Sequence, residues 1–254
     1  MIKHYFKIAI RNLAKNKIFS FINILGLAVG MGVCLLIYQY VYFEMSYYRF
    51  HSNAQNTYRL TQTTVRSGED LGKVVFTTFG LGPRGKETIP EIRDFARVHD
   101  LDIDLVVTNV GKNEPYLEDN LWYVDSTFLK IFDFPLIRGD RESAFSEKYS
   151  MVITEEVALK YFGDSNPMGK ALKVSGGVLS GDFIVTGVLK SLPANSHLQF
   201  DFLLPIEHLL ENYGQYKDDE GWDWNNFVTY VTLNEGADLT EVGKKFVELI
   251  SAHV

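Results

Sequence analysis

Gly80-Leu81-Gly82-Pro83-Arg84-Gly85 has the G-x-G-x-x-G spacing of a dinucleotide loop, and Asp104 lies about twenty residues on, where an acid could hold a ribose hydroxyl. That chemistry needs a long helix opening at the glycines, so that its N-terminal amides face the pyrophosphate. Pro90 leaves room only for a short helix near Arg84–Thr88, so the glycines read as a turn. Gly163-Asp164-Ser165-Asn166-Pro167-Met168-Gly169-Lys170-Ala171 resembles a phosphate loop. It has five residues between the glycines where that loop has four, and Ala171 where magnesium needs a hydroxyl. His4, His51, His99, His197, His208 and His253 show no paired metal-ligand spacing. Asp100, Asp102 and Asp104 alternate as they would along one strand face, which suits either a solvated acidic edge or calcium. Ser150 and Ser196 lack the glycines of a nucleophile elbow. Cys34, the one cysteine, sits in an apolar run and can build neither a disulfide framework nor a zinc site within the chain. These residues form no catalytic, cofactor or metal constellation, and the chain is expected not to be an enzyme.

The elements that would position such groups are short strands and a few helices. Thr57–Arg66 and Gly72–Phe79 alternate around a turn at Ser67-Gly68-Glu69-Asp70 and read as a hairpin. A second pair is expected at Ile103–Val110 and Pro115–Val124. Asp125 or Ser126 can cap a short helix through Phe132, and Thr154 caps another that ends at Gly163. Strands follow at Ala171–Val174 and Phe183–Leu189, joined by a turn at Gly176-Gly177, then at Phe200–Leu204 and Phe227–Leu233. A helix capped by Asp238 runs from Leu239 to about Ala252, with Leu239, Val242, Phe246, Val247 and Ile250 on one face. The fold class is α+β.

Charge divides the 254 residues unevenly. Lys3, Lys7, Arg11, Lys15 and Lys17 are five of the 25 basic side chains and lie ahead of every acid, which leaves 20 bases against 32 acids beyond them. An acidic body argues against a nucleic-acid partner. Ile18–Phe43 carries no charge over 26 residues, and a helix of that length reaches about 39 Å against roughly 30 Å of hydrocarbon. The run is too long for the apolar region of a cleaved signal peptide, and Glu44-Met45-Ser46 follows it. The basic flank places the N-terminus in the cytoplasm and the chain beyond Phe43 outside. Residues 1–17 then form a basic amphipathic cytoplasmic segment, with Lys7, Arg11 and Lys15 four apart on one stripe facing anionic lipid or an acidic partner. Gly26 and Gly30, at i and i+4, would let a neighbouring helix approach closely.

Several blocks together resemble the MacB/FtsX-type ABC transporter permeases, with their N-terminal transmembrane helix and MacB-like periplasmic core domain. They are Phe6–Leu13 with Lys15-Asn16-Lys17, Phe19–Ile24, Gly26–Met31 and Glu44–His51. Farther on come Phe132-Asp133-Phe134-Pro135 with Gly139-Asp140, Thr154-Glu155, Lys160–Gly163, Pro167–Lys170 and Val185–Val188. Leu192–His197, Phe200-Asp201 and Thr229-Tyr230-Val231 complete the likeness. The resemblance implies a transmembrane helix at 18–43 and a periplasmic core domain at 44–254. It also implies a non-catalytic permease subunit of the inner membrane, in which a separate cytoplasmic ABC ATPase drives the outer domain by mechanotransmission. The subunit would form a homodimer or pair with other permease helices, Lys7, Arg11 and Lys15 lying towards the ATPase and Gly26 and Gly30 packing in the bilayer. Family permeases carry three further membrane helices after this domain, so the sequence is expected to be a piece of a longer gene or to draw those helices from another chain. The alternative from the residues alone is a single-pass, membrane-anchored module that binds a ligand or protein.

Overall fold

The computed structural model describes residues 2–45, 53–66, 69–101, 103–193, 195–212, 222 and 224–253. The chain divides into two compact units, Met1–Tyr47 and Tyr48–Val254. In the first, α1 (Ile2–Lys15) and α2 (Lys17–Met45) meet at Asn16. The Ser20 hydroxyl donates to the Leu13 carbonyl at 3.0 Å, satisfying an acceptor that the end of α1 leaves without a helical partner. Ser20 is the one buried residue of α2; the apolar side chains around it are exposed along its length.

The second unit is α+β. Its elements run β1 (Thr57–Arg59), β2 (Gln62–Arg66), β3 (Glu69–Val74), α3 (Leu81–Thr88), β4 (Ile92–Asp100), β5 (Leu105–Asn109), β6 (Glu114–Glu118) and β7 (Leu121–Val124). Then come α4 (Phe128–Ile131), β8 (Leu136–Gly139), β9 (Ser150–Thr154), α5 (Glu155–Phe162), β10 (Ala171–Ser175) and β11 (Gly181–Leu189). Last are β12 (Phe202–Pro205), α6 (Ile206–Asn212), β13 (Val228–Leu233) and α7 (Leu239–Ser251). Ten strands follow the path β1-β13-β4-β7-β12-β9-β11-β10-β5-β6, with β8 joining at β11, while β2 and β3 form a separate ribbon. Most neighbours are antiparallel; β7 with β12 and β9 with β11 are parallel.

The central strands β7, β9 and β12 are buried on both faces, so their side chains feed two cores by the two-residue period of a strand. Tyr123, Met151, Ile153, Phe202 and Leu204 point to one side, with Val157 and Tyr161 of α5 and Leu209 of α6. Trp122, Val124, Val152 and Leu203 point to the other, against Phe128, Phe132, Phe134 and Phe200. A third cluster covers the β1 end, where Val231 and Leu233 meet Leu81 of α3 and Val242 and Phe246 of α7. At this same end the chain enters through β1 and returns through β13, with Thr57 opposite Thr232.

Several expected elements take a different form. The strand expected at Thr57–Arg66 is broken at Leu60-Thr61, because β1 joins the large sheet and β2 the ribbon. Glu69 and Asp70 belong to β3 and not to the turn, and Ser67 and Gly68 lie outside the described residues. Pro115–Val124 is two strands, since β6 pairs β5 at the sheet edge while β7 crosses to the centre between β4 and β12. α4 starts after Thr127 without a side-chain cap, because Asp125 is engaged by Arg97. The caps at Thr154 and Asp238 form as expected, Thr154 accepting from the Val157 amide and Asp238 from the Thr240 amide. On α7, Val242 and Phe246 are buried, whereas Leu239 and Val247 are exposed.

Candidate functional site

Lys7, Arg11 and Lys15 lie on α1 at intervals of four, on one exposed stripe. Gly26 and Gly30 lie on α2, and a Cβ built at either position meets nothing within 4 Å, so the backbone there is open to close approach. α2 is long and apolar enough to cross a membrane.

In the second unit the glycine-rich stretches serve packing. α3 opens at Leu81, three residues earlier than the sequence suggests, so Gly82 and Gly85 are inside the helix. A Cβ on Gly82 would lie 2.7 Å from Phe95 of β4, and one on Gly85 would lie 2.8 Å from Phe246 of α7. The spacing that mimics a nucleotide loop is therefore what lets α3 sit down on β4 and α7. The stretch from Gly163 to Ala171 is tied to β11: the Gly169 amide donates to the Val185 carbonyl at 2.8 Å, and the Val185 amide to the Lys170 carbonyl at 2.9 Å. Two of the blocks behind the family resemblance, Pro167–Lys170 and Val185–Val188, thus form one structural joint.

The candidate acid, base and nucleophile residues are dispersed. Asp100 closes β4 and Asp104 precedes β5, so the aspartates do not share a strand; Asp102 lies outside the described residues. The Ser150 hydroxyl donates to the Glu147 carbonyl at 2.6 Å, and the Ser196 hydroxyl accepts from the Leu198 amide at 3.1 Å. Among the described residues no group of three His, Cys, Asp or Glu side chains is placed to hold a metal ion. His99 is buried with Nδ1 at 2.9 Å from the Asn226 carbonyl, and His208 is buried with Nδ1 at 3.1 Å from the Tyr123 hydroxyl. Burial holds both imidazoles below the ordinary histidine value, the Asn226 carbonyl opposing this at His99.

Two buried polar networks have no linear motif. Arg97 of β4 pairs with Asp125 at the end of β7, and Glu118 of β6 accepts from both the Tyr161 hydroxyl at 2.5 Å and the Lys160 ammonium at 2.7 Å. Burial first, and then the Glu118 carboxylate, push the Tyr161 phenol well above its usual range. The first ties β4 to the end of β7, and the second ties β6 to α5. Their partners are far apart in sequence, and an isolated Arg or Glu in a strand pattern is the only trace they leave there.

The sequence model of the MacB-like periplasmic core domain matches residues 20–249. Curated proteins compared with the chain give no match. Among solved structures, a domain provisionally assigned to a permease protein from Porphyromonas gingivalis is 24% identical with a TM-score of 0.64, over 81% of this chain and 84% of that one. The periplasmic region of MacB from Actinobacillus actinomycetemcomitans is 14% identical with a TM-score of 0.54, over 78% and 83%. The extracellular domain of the noncanonic ABC-type transporter YknZ from Gram-positive bacteria is 16% identical with a TM-score of 0.53, over 78% and 94%. These likenesses carry the fold, and the match over most of the chain carries the family: this protein belongs to the MacB-like periplasmic core domain family, the domain of ABC transporter permease components that lies outside the membrane.

Proposed function

We propose that the chain is the N-terminal part of a non-catalytic ABC permease subunit whose outer domain transmits the work of a separate cytoplasmic ATPase to export or to another task in the envelope. The observation that carries this reading is the family's core fold joined to a 29-residue apolar helix whose side chains are almost all exposed. An exposed apolar surface of that length is costly in water and favourable in lipid. Residues 18–43 cross the inner membrane, residues 1–17 remain cytoplasmic, and residues 44–254 form the periplasmic domain, in keeping with the excess of Lys and Arg ahead of the span. Lys7, Arg11 and Lys15 face the ATPase or the anionic leaflet beside it. Gly26 and Gly30 are where α2 meets a second copy or other permease helices, since an open small-residue face permits backbone contact.

Protease added to intact spheroplasts should digest the domain beyond Met45 and spare an epitope ahead of Ile2. Co-purification with the ATPase encoded beside it, together with a change in that ATPase's turnover in membranes, supports the coupling role. Correct topology with no ATPase association and unchanged turnover would instead leave a single-pass binding module.

A further inference from the structure

A cleft of about 270 Å³ opens where β1, β13, the end of α4 and the loop before β12 meet. Its floor is apolar and aromatic. Ile131, Phe132 and Tyr230 are almost wholly buried beneath it, and the rings of Phe132 and Tyr230 stand edge to face at 5.0 Å and 90°. Its rim is polar. Arg59 lies directly opposite Tyr230 in the antiparallel β1–β13 register, so both side chains share one face of the sheet, with Thr57 two residues back on the same face. From the other wall, His197 reaches over the floor and hydrogen-bonds the Tyr230 hydroxyl through Nε2.

Charge selects the occupant. Although the chain as a whole carries −7, among the described residues the cleft is lined by an arginine and a histidine and by no carboxylate. Among the described residues Arg59 makes no ion pair, so its guanidinium can take an incoming anion. One fixed positive charge matches a monoanion, and the planar fork of a guanidinium matches a carboxylate in two-point contact. The volume lies just below the usual range of about 300–1,000 Å³ for small-molecule sites, which sets the size at one ring or one branched chain.

We propose that this cleft is a binding site for a small carboxylate-bearing amphiphile, its carboxylate held by Arg59 beside His197 and its aromatic or branched tail laid on Phe132 and Ile131. The site lies wholly within the outer domain, and it stands whether or not the chain couples to an ATPase.

The test uses the full chain in zwitterionic lipid nanodiscs, with phenylacetate as the probe, phenylacetamide as its neutral counterpart and empty discs subtracted. Saturation-transfer NMR should show saturable phenylacetate binding with a Kd of about 1 mM or tighter. The amide should bind at least about fivefold more weakly, and Arg59→Gln should bring phenylacetate down to the level of the amide. Arg59 is exposed, so this variant should fold, and its circular dichroism melt provides the check. Ala54→Trp, which fills the cleft from its wall, should abolish binding of both probes. Absence of saturable binding would overturn the proposal. So would equal affinity for acid and amide, or an Arg59→Gln variant that binds phenylacetate as well as the parent does.

Discussion

Arg97 and Asp125 form a two-point ion pair inside the outer domain, Nη2 to Oδ1 at 2.7 Å and Nε to Oδ2 at 2.9 Å, with both side chains less than a tenth exposed. The same carboxylate accepts the Arg97 amide at 2.6 Å. The guanidinium also donates to the Phe79 carbonyl at 3.0 Å and lies over the Phe79 ring at 4.1 Å. The pair therefore joins β4, the end of β7 and the segment entering α3. Removing one partner strands the other charge in the interior. Asp125→Asn and Arg97→Met should each destabilise the domain by about 3–5 kcal/mol, and the double variant by less than their sum. The chain's three tryptophans all lie in this domain, so urea unfolding followed by their fluorescence reads the effect directly.

Alanine normally stabilises a helix over glycine by about 1 kcal/mol. At Gly82 and Gly85 the sign should reverse, because the added methyl meets Phe95 or Phe246 inside contact distance and overpacking costs about 1–3 kcal/mol. A lowered urea midpoint for each variant is expected, with Phe246→Leu restoring part of the loss in Gly85→Ala but none in Gly82→Ala. A rise in midpoint would show that α3 does not rely on these close approaches.

His99 and His208 carry folded-state pKa values below the ordinary value of about 6.5, because burial disfavours the imidazolium. Above that value both states are neutral and the histidines leave stability unchanged. As pH falls below it the unfolded chain takes up protons that the folded one resists, so stability declines towards the depressed folded values. Urea midpoints measured between pH 7.5 and 5.5 should therefore fall on the acid side, about where the unfolded imidazole titrates. His208→Gln should flatten that slope whatever it does to the midpoint at neutral pH.

If Gly26 and Gly30 are the face on which α2 meets another membrane helix, leucine at both should block close approach. Cross-linking of the assembled complex in membranes should drop at least about threefold, since a single small-to-large change already removes the backbone contact. The melt of the outer domain should not move. Unchanged cross-linking would place the helix contact on another face of α2.

Elements whose surroundings obey a simple period were legible from the residues. β10 and β11 alternate, α5 and α7 carry side-chain caps, and the uncharged run of α2 marks a long apolar helix. β4 was hidden because Arg97 and His99 lie in its middle, where their charge suggests a loop until Asp125 and the Asn226 carbonyl are seen to receive them. β9 was missed for the opposite reason: Ser150–Thr154 is buried throughout and shows no alternation. The division between β6 and β7 at Asp119-Asn120 follows from which strands they pair with, and no local pattern encodes that. The cleft was equally invisible, since Arg59 and Tyr230 become neighbours only through the β1–β13 register.

That register has a mechanical consequence. β1, which opens the sheet, and β13, its last strand, pair at one border, and the β5–β6 hairpin lies at the opposite border, nine strand spacings along the sheet. At about 4.8 Å per spacing the two borders are separated by roughly 43 Å measured along the sheet. Under the proposed coupling role, a displacement applied at β1 and β13 would have to pass through each intervening strand pair to reach that hairpin.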